Sequence, residues 1–321
     1  MNNQSNIPRV VIVVPCYNEQ EVLPSTVERL CGILSAMVAD GEAAADSRLL
    51  LVDDGSRDNT WQLICQHHAA DPRVAGIKFA ANRGHQNALL AGIDTAVGEL
   101  NADAIISIDA DLQDDPEAMR EMVRLYATGN EVVMGVRRSR KTDSWFKRTT
   151  AQGFYKLMKR LGVNIVYNHA DYRLLSRRAA IALQGYNERN MFLRGIVAQM
   201  GFRQATVDYD RTERLAGESK YPLGKMINFA IDGITSFSVK PVRMVFNLGF
   251  LSLIIAFLLL IYVLVAYFTH RTVSGWSSLM LSLWFIGGCV LISLGIIGEY
   301  IAKIYLETKQ RPRYHIDETL L

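Results

Sequence analysis

The chain has 321 residues, with 35 Lys plus Arg against 32 Asp plus Glu and a formal net charge of +3, too even a balance to mark a nucleic-acid binder by charge alone. Hydrophobic residues make up 50% and charged residues 21%, which excludes a disordered or collagen-like chain. Four cysteines in this length exclude a disulfide scaffold.

The first strand is predicted at Arg9 to Val14, a β-branched run ended by Pro15 and patterned for burial on both faces. Leu23, Val27, Leu30, Leu34 and Val38 then recur at helical spacing. Leu49 to Val52 reads as a second strand, ended by the turn-forming Asp53-Asp54-Gly55-Ser56. Asp58 reads as the N-cap of a helix carrying Trp61, Ile64, Cys65 and His68. A third strand follows at Val74 to Phe79, a helix at Gly84 to Val97, and a fourth strand at Ala104 to Ile108 that runs straight into Asp109. Strand and helix alternating at this spacing imply an α/β domain with a mostly parallel sheet. Such sheets bind ligands beyond the carboxyl ends of their strands. The polar clusters Cys16–Glu19, Asp53–Asp58 and Asp109–Asp115 fall at those ends.

Beyond Pro222 the chain changes character. Leu223, Met226, Ile227, Ala230, Ile231, Ile234 and Phe237 give one apolar helical face, which reads as an amphipathic interfacial helix over 222–241. Met244–Thr269 and Thr272–Gly298 carry no charged residue, and each exceeds the roughly 20 apolar residues that a span needs. They predict a transmembrane hairpin with helices at 242–269 and 272–299 and a tail over 300–321, following a cytosolic domain over 1–221. Lys240, Arg243, Lys303, Lys309, Arg311 and Arg313 flank one side and Arg271 stands alone on the other, which puts both termini in the cytoplasm. Trp276, Tyr262, Tyr267 and Tyr300 are candidate interfacial anchors. Met1–Pro8 has no signal-peptide apolar core. The expectation is a multi-pass protein of the inner (plasma) membrane, with Cys16, Cys31 and Cys65 as free thiols; none lies in a CxxC pair, so neither zinc nor redox chemistry is indicated.

Asp109-Ala-Asp111-Leu-Gln113 carries the first chemical signal. Two carboxylates two residues apart at a strand end, with an amide oxygen beside them, suit a hard divalent cation such as Mg²⁺ or Mn²⁺. A lone Asp-x-Asp is usually a solvated turn, but the apolar strand before it and the second acidic turn at Asp53-Asp54 raise its weight.

The motifs Val13-Val-Pro-Cys-Tyr-Asn-Glu19, Val52-Asp-Asp-Gly-Ser-Arg-Asp58, Asn82-Arg-Gly84 and Asp109-Ala-Asp-Leu-Gln113 occur in the order seen in family 2 glycosyltransferases of the GT-A fold. Asp171-Tyr-Arg-Leu-Leu175, Gly217-Glu-Ser-Lys-Tyr221 and Gly298-Glu-Tyr-Ile-Ala-Lys-Ile-Tyr305 through Tyr314 extend the resemblance to polyprenyl-phosphate glycosyltransferases, the group of dolichol-phosphate mannose synthases and bactoprenol glucosyltransferases. The likeness spans about Ile7 to Tyr314. It implies a GT-A nucleotide-sugar-binding domain in which Pro15, Tyr17, Glu19, Asp54, Arg83 and Asp109 contact the nucleotide. Asp109, Asp111 and Gln113 would hold Mg²⁺ or Mn²⁺ under the diphosphate, with Asp111 essential for catalysis. Asp171 is the candidate base. A lipid phosphate with a second pKa near 6 hardly needs deprotonating, so orienting the acceptor is the competing role. Arg137, Arg138, Arg140, Lys141, Lys147 and Arg148 form a basic cluster, of which about half read as a solvated face; the resemblance points to Arg137 and Arg148 as acceptor-phosphate ligands. Arg214 and Lys220 would belong to a loop closing over the diphosphate.

The implied activity is inverting, metal-dependent transfer of a hexose, glucose from UDP-glucose foremost, to polyprenyl (undecaprenyl) phosphate in the bilayer; a homo-oligomer, a tetramer in particular, is left open. Transfer of a modified aminopentose or of mannose is the nearest alternative. Tyr186 to Phe192 looks closer to the glucosyl branch. A catalytically silent membrane scaffold is disfavoured by intact Asp109, Asp111, Gln113 and Asp171, and a channel or flippase by the lack of charge within the spans. Gln310-Arg-Pro-Arg-Tyr314 resembles the Gln-x-x-Arg-Trp motif of processive polysaccharide synthases, but it ends in Tyr, contains Pro and follows the last span, and is set aside.

Overall fold

A computed structural model describes residues 7–137, 169–186, 188, 193–210, 240–269 and 275–321. Arg138 to Arg148, Arg214, Lys220 and the amphipathic stretch as far as residue 239 lie outside them. The chain divides into two compact units, one made of Met1–Tyr155, Asn164–Tyr221 and Arg311–Leu321, the other of Lys156–Val163 and Pro222–Gln310.

The first unit opens with β1 (Val10–Cys16), α1 (Leu23–Ala39), β2 (Arg48–Asp53), α2 (Thr60–Ala70), β3 (Val74–Phe79), α3 (His85–Gly98) and β4 (Ala104–Ser107). It continues with α4 (Ala118–Ala127), β5 (Val132–Arg137), β6 (His169–Ser176), α5 (Arg177–Gln184), α6 (Leu193–Gln199) and β7 (Gln204–Tyr209), and closes with β8 (Ile316–Leu320). All eight strands join one sheet in the order β7-β5-β6-β4-β1-β2-β3-β8. The pairs β1–β2, β1–β4, β2–β3 and β5–β7 are parallel, and β4–β6, β5–β6 and β3–β8 antiparallel. The mostly parallel α/β sheet expected from the alternation is what forms. Every residue of β1 is buried, in keeping with its uninterrupted apolar run at the centre of a covered sheet. Pro15 falls two residues beyond the last β4 pairing, Val13 with Ser107, so its missing N–H leaves no gap in that ladder.

Strand order reverses between β1 and β4: the chain winds outward through β2 and β3, then returns to the other side of β1. Beyond the carboxyl ends of these two strands lies the crevice that such a switch creates. Helix α3 packs hard against its floor. A Cβ on Gly92 would stand 2.2 Å from Val13 Cγ1, so only glycine lets the helix come this close. The predicted cap of α2 differs: the helix starts at Thr60 after Asn59, and Asp58 instead accepts from the Thr60 N–H and hydroxyl at 3.1 and 2.6 Å.

In the second unit α7 (Lys240–Phe268) and α8 (Trp276–Thr308) are long helices that touch each other. The second extends to Thr308, beyond the expected end at 299. Among the described residues one stretch, Phe285–Thr308, is long and apolar enough to cross a membrane, with a mean hydropathy of 1.9. Large apolar side chains stand exposed on both helices, among them Phe250, Phe257, Phe285 and Leu291. Cys16, Cys31, Cys65 and Cys289 are free thiols.

Candidate active site

The acidic turn is built from the end of β4. Ile108 N–H donates to Val13 O at 3.1 Å, extending the strand beside β1, and the buried Thr26 hydroxyl fastens Ala110 O at 2.7 Å. Leu112 then adopts φ +45°, a left-handed conformation costing on the order of 1 kcal/mol for a residue with a Cβ. That turn lets the Gln113 N–H donate to Asp111 Oδ1 at 3.2 Å. Asp109, Asp111 and Gln113 are thus gathered on one tight loop, as the motif implied. The Asp109 side chain is 41% exposed, yet it sits among the cleft walls. Loss of hydration, together with the negative charges of Asp171, Asp114 and Asp111, pushes its carboxyl up against the opposing pull of His85.

Strand β6 brings Asp171 to the same place by pairing antiparallel with β4, Ser107 opposite Arg173. The buried Ser107 hydroxyl donates to Asp171 O at 2.7 Å. The Asp171 carboxylate is one of the most heavily engaged groups in the protein. Arg173, two residues along on the same strand face, binds Oδ1. Arg194 reaches Oδ2 through Nε at 3.1 Å and Nη2 at 2.8 Å, and Gln86 Nε2 donates to the same oxygen at 3.4 Å. His85 Nε2 lies 3.6 Å from Asp171 Oδ2 and 3.6 Å from Asp109 Oδ1, bridging the two carboxylates. Burial alone would raise the Asp171 carboxyl; His85, Arg173 and Arg194 overcome it and hold the group well below the usual carboxylate range. His85 moves the other way. Against its own loss of hydration, Asp171 and Asp109 raise it, so it keeps its proton above the ordinary histidine range.

The wall beyond β2 is shaped by Asp54, which is 3% exposed. Its two oxygens accept the backbone N–H groups of Arg83 at 2.6 Å and Gly84 at 2.8 Å. Burial raises its carboxyl and these two donors oppose the rise. Asp54 and Arg83 are therefore neighbours, as expected, through the backbone of Arg83. The 80–84 loop also presses on Gly55, whose φ is +67° and whose Cβ, were one present, would stand 2.6 Å from Asn82 N. Tyr17 is exposed at the mouth of the crevice, Glu19 is half-buried, and Pro15 is buried in β1. The left-handed Asn18 (φ 55°) turns this segment onto the Asp53–Asp58 turn, donating its N–H to Ser56 Oγ at 2.9 Å and accepting from Arg57 N at 2.8 Å.

Arg137, the described member of the implied acceptor pair, stands at the end of β5 with its guanidinium clasped by the buried Asp114, Nε to Oδ1 at 3.0 Å and Nη2 to Oδ2 at 3.2 Å. The buried Tyr209 hydroxyl lies against this pair, and burial and the Asp114 charge push it well up. Arg148, Arg214 and Lys220 lie outside the described residues.

Five side chains that contact the candidate residues were not singled out from the sequence: His85, Gln86, Arg173, Arg194 and Asp114. His85 directly follows the Asn82-Arg-Gly84 motif. Arg173 shares a strand face with Asp171 at spacing two, a signal the sequence did carry. Arg194 is placed by α6 and becomes recognisable only once the fold delivers it.

The oxygen-only set of Asp109, Asp111 and Gln113 fits Mg²⁺ or Mn²⁺. Loss of hydration first, and the neighbouring carboxylates with it, push Asp109 up, and added positive charge beside it would favour its ionised form. Among the described residues no group of three or more His, Cys, Asp or Glu side chains is placed to hold a metal ion, so the donors on offer are the two carboxylates and the Gln113 amide.

A family model for Glycosyl transferase family 2 matches residues 11–183. An uncharacterized glycosyltransferase of Bacillus subtilis is 50% identical over 97% of this chain and 91% of its own length. The bactoprenol glucosyl transferase of Shigella phage SfX is 37% identical over 96% of this chain and 98% of its own. A prophage bactoprenol glucosyl transferase homolog of Escherichia coli is 36% identical over the same shares. The matched region holds the acidic turn, the Asp54 loop and Asp171, and with this extent of identity the chain belongs to the family 2 glycosyltransferases.

Proposed function

We propose that the protein transfers a hexose, glucose from UDP-glucose, to a polyprenyl phosphate at the cytoplasmic face of the membrane, with inversion at the anomeric carbon. The observation that carries the membrane setting is topological. Strands β1–β7, which precede α7, and β8, which follows α8, join one sheet, an arrangement that supports an even number of crossings where the helices between them enter a bilayer. Two helices with exposed apolar side chains and basic residues gathered on one flank support a hairpin with both termini cytoplasmic. The relatives named bactoprenol glucosyl transferases support the lipid-phosphate acceptor and the glucosyl donor.

The chemistry follows from which groups are charged. A polyprenyl phosphate is mostly dianionic at neutral pH and attacks without surrendering a proton. Asp171, held ionised by His85, Arg173 and Arg194, has little basicity to offer. Its role is to fix protonated His85 and the Arg194 guanidinium at the crevice, where their positive charge faces the incoming and departing phosphates. Asp54 shapes the loop that receives the base, with Tyr17 and Glu19 at its rim. Asp114 aims Arg137, whose guanidinium suits the acceptor phosphate. Asp109, Asp111 and Gln113 would hold Mg²⁺ or Mn²⁺, and a bound cation of this kind stabilises the charge of a leaving diphosphate.

The test is to incubate membranes containing the protein with labelled UDP- and GDP-sugars and undecaprenyl phosphate. Label from UDP-glucose should enter the lipid fraction. Label from a UDP-aminopentose or GDP-mannose alone would replace the donor, and none from any sugar would overturn the reading.

A further inference from the structure

The Gln310–Tyr314 segment, set aside in the sequence as an imperfect match to another motif, holds three walls of the crevice at once. Arg313 Nη2 donates to Tyr186 O at 2.5 Å. The Tyr314 ring stacks on Phe79 with centroids 5.0 Å apart and planes 3° from parallel, and its hydroxyl donates to Asp94 Oδ2 at 2.7 Å. His315 O accepts the Ala80 N–H at 3.1 Å. Strand β8 then continues along β3, with Lys78 paired to Glu318 at 2.7 Å.

Each grip lies within about eight residues of a group in the site. Ala80 leads into the loop whose Arg83 and Gly84 amides bind Asp54. Asp94 lies on α3, whose first residues are His85 and Gln86. Tyr186 lies eight residues before Arg194 in the chain; the Leu193 N–H donates to Gln86 Oε1 at 3.2 Å, and Arg194 binds Asp171. These three walls touch Asp54 and Asp171 from different parts of the sequence, and three consecutive residues, Arg313 to His315, tie them together.

We propose that Arg313 and Tyr314 are positioning residues of the transfer reaction: the strap they form sets the spacing between the Asp54 loop, the start of α3 and the Arg194 segment. The proposal rests on the reading that this crevice is where transfer occurs. It differs from simple docking of an edge strand, because the grips on Tyr186 and Asp94 lie outside the β3–β8 ladder.

The test uses the full-length chain in detergent or native membranes, with Arg313→Ala, Arg313→Lys and Tyr314→Phe, and with Glu318→Ala as a variant that weakens the β8 ladder only. Backbone amide exchange at Gly84 and Leu193 reports the walls directly, and kcat/KM for the nucleotide sugar reports the reaction. For Arg313→Ala, exchange at Leu193 should quicken and kcat/KM should fall about tenfold, the scale of one lost charge-assisted hydrogen bond. Arg313→Lys should recover part of both, and Tyr314→Phe should quicken exchange near Asp94 and lower kcat/KM by less. Glu318→Ala should leave kcat/KM and Leu193 exchange unchanged. Unchanged exchange at Leu193 in Arg313→Ala overturns the proposal, and so does an equal loss in Glu318→Ala. Because exchange is read without substrate, a wrong donor or acceptor assignment would show only in the transfer assay.

Discussion

Replacing Asp171 with Asn separates the two roles open to this carboxylate. Its side chain is 4% exposed, as is that of Arg173, and Arg194 is two-thirds covered. Asn keeps the shape but removes the charge, leaving Arg173 buried without its counter-ion. Breaking a buried pair by removing one partner costs about 3–5 kcal/mol, a large part of the roughly 5–15 kcal/mol that holds a domain folded. The pH dependence has a definite sign. The Asp171 carboxyl is depressed in the folded protein, so its contribution is full above the unfolded value near 4 and fades only as pH falls through the lower folded value. His85 is raised, so its share is full below about 6.5 and fades as pH climbs through its folded value. Denaturant unfolding of wild type and Asp171→Asn should therefore show a constant gap between about pH 5 and 6.5, narrowing in stronger acid and again in alkali. In the transfer assay, an acid limb of wild type near neutrality should persist in whatever activity Asp171→Asn retains, while the His85 ionisation moves to lower pH because Asp171 no longer raises it. The reasoning is refuted if the gap collapses between pH 5 and 6.5, or if an acid limb near neutrality disappears specifically in Asp171→Asn.

Asp111→Asn should reduce divalent-cation-dependent transfer at least about a hundredfold while leaving the unfolding midpoint near wild type; near-normal activity in a cation titration would remove Asp111 from the site. Asp114→Asn releases the guanidinium it clasps, so KM for the polyprenyl phosphate should rise about tenfold or more with little change in KM for the nucleotide sugar, measured by varying each substrate in turn. Gly55→Ala puts a Cβ 2.6 Å from Asn82 N at a φ of +67°; the displaced loop should weaken nucleotide binding, read by calorimetry, while Gly41→Ala, also at positive φ but with open space around it, should leave binding unchanged. Gly92→Ala should lower stability by about 1–3 kcal/mol in denaturant titration through overpacking against Val13.

The parallel half of the sheet was legible because its strands are buried on both faces and read as unbroken apolar runs: Val10–Val14, Leu49–Val52 and Ala104–Ile108 need no partner to be recognised. The antiparallel half was not. Strand β6 carries Asp171 and Arg173, a charged pair whose mutual neutralisation inside the protein cannot be inferred from hydropathy, and β8 is a five-residue Ile-Asp-Glu-Thr-Leu segment with polar alternation and little apolar signal. The site divides in the same way. Residues within one loop, such as Asp109, Asp111 and Gln113, were visible as a motif. The bridge through His85 and Arg194 joins elements far apart in the chain and exists only through sheet order. The sequence also placed Asp54 beside Arg83 without indicating that backbone amides make the link.

The lateness of β8 has a consequence for biogenesis. It pairs with β3, whose last residue is Phe79, but it is made only after α7 and α8. At about 5–20 residues per second, the β3 edge waits on the order of 10–50 s for its cover. An unpaired strand edge is a template for intermolecular pairing, so the interval is one of exposure to aggregation. The last strand can reach the sheet only after both long helices have left the ribosome, so completion of the sheet waits on the synthesis of the whole second unit.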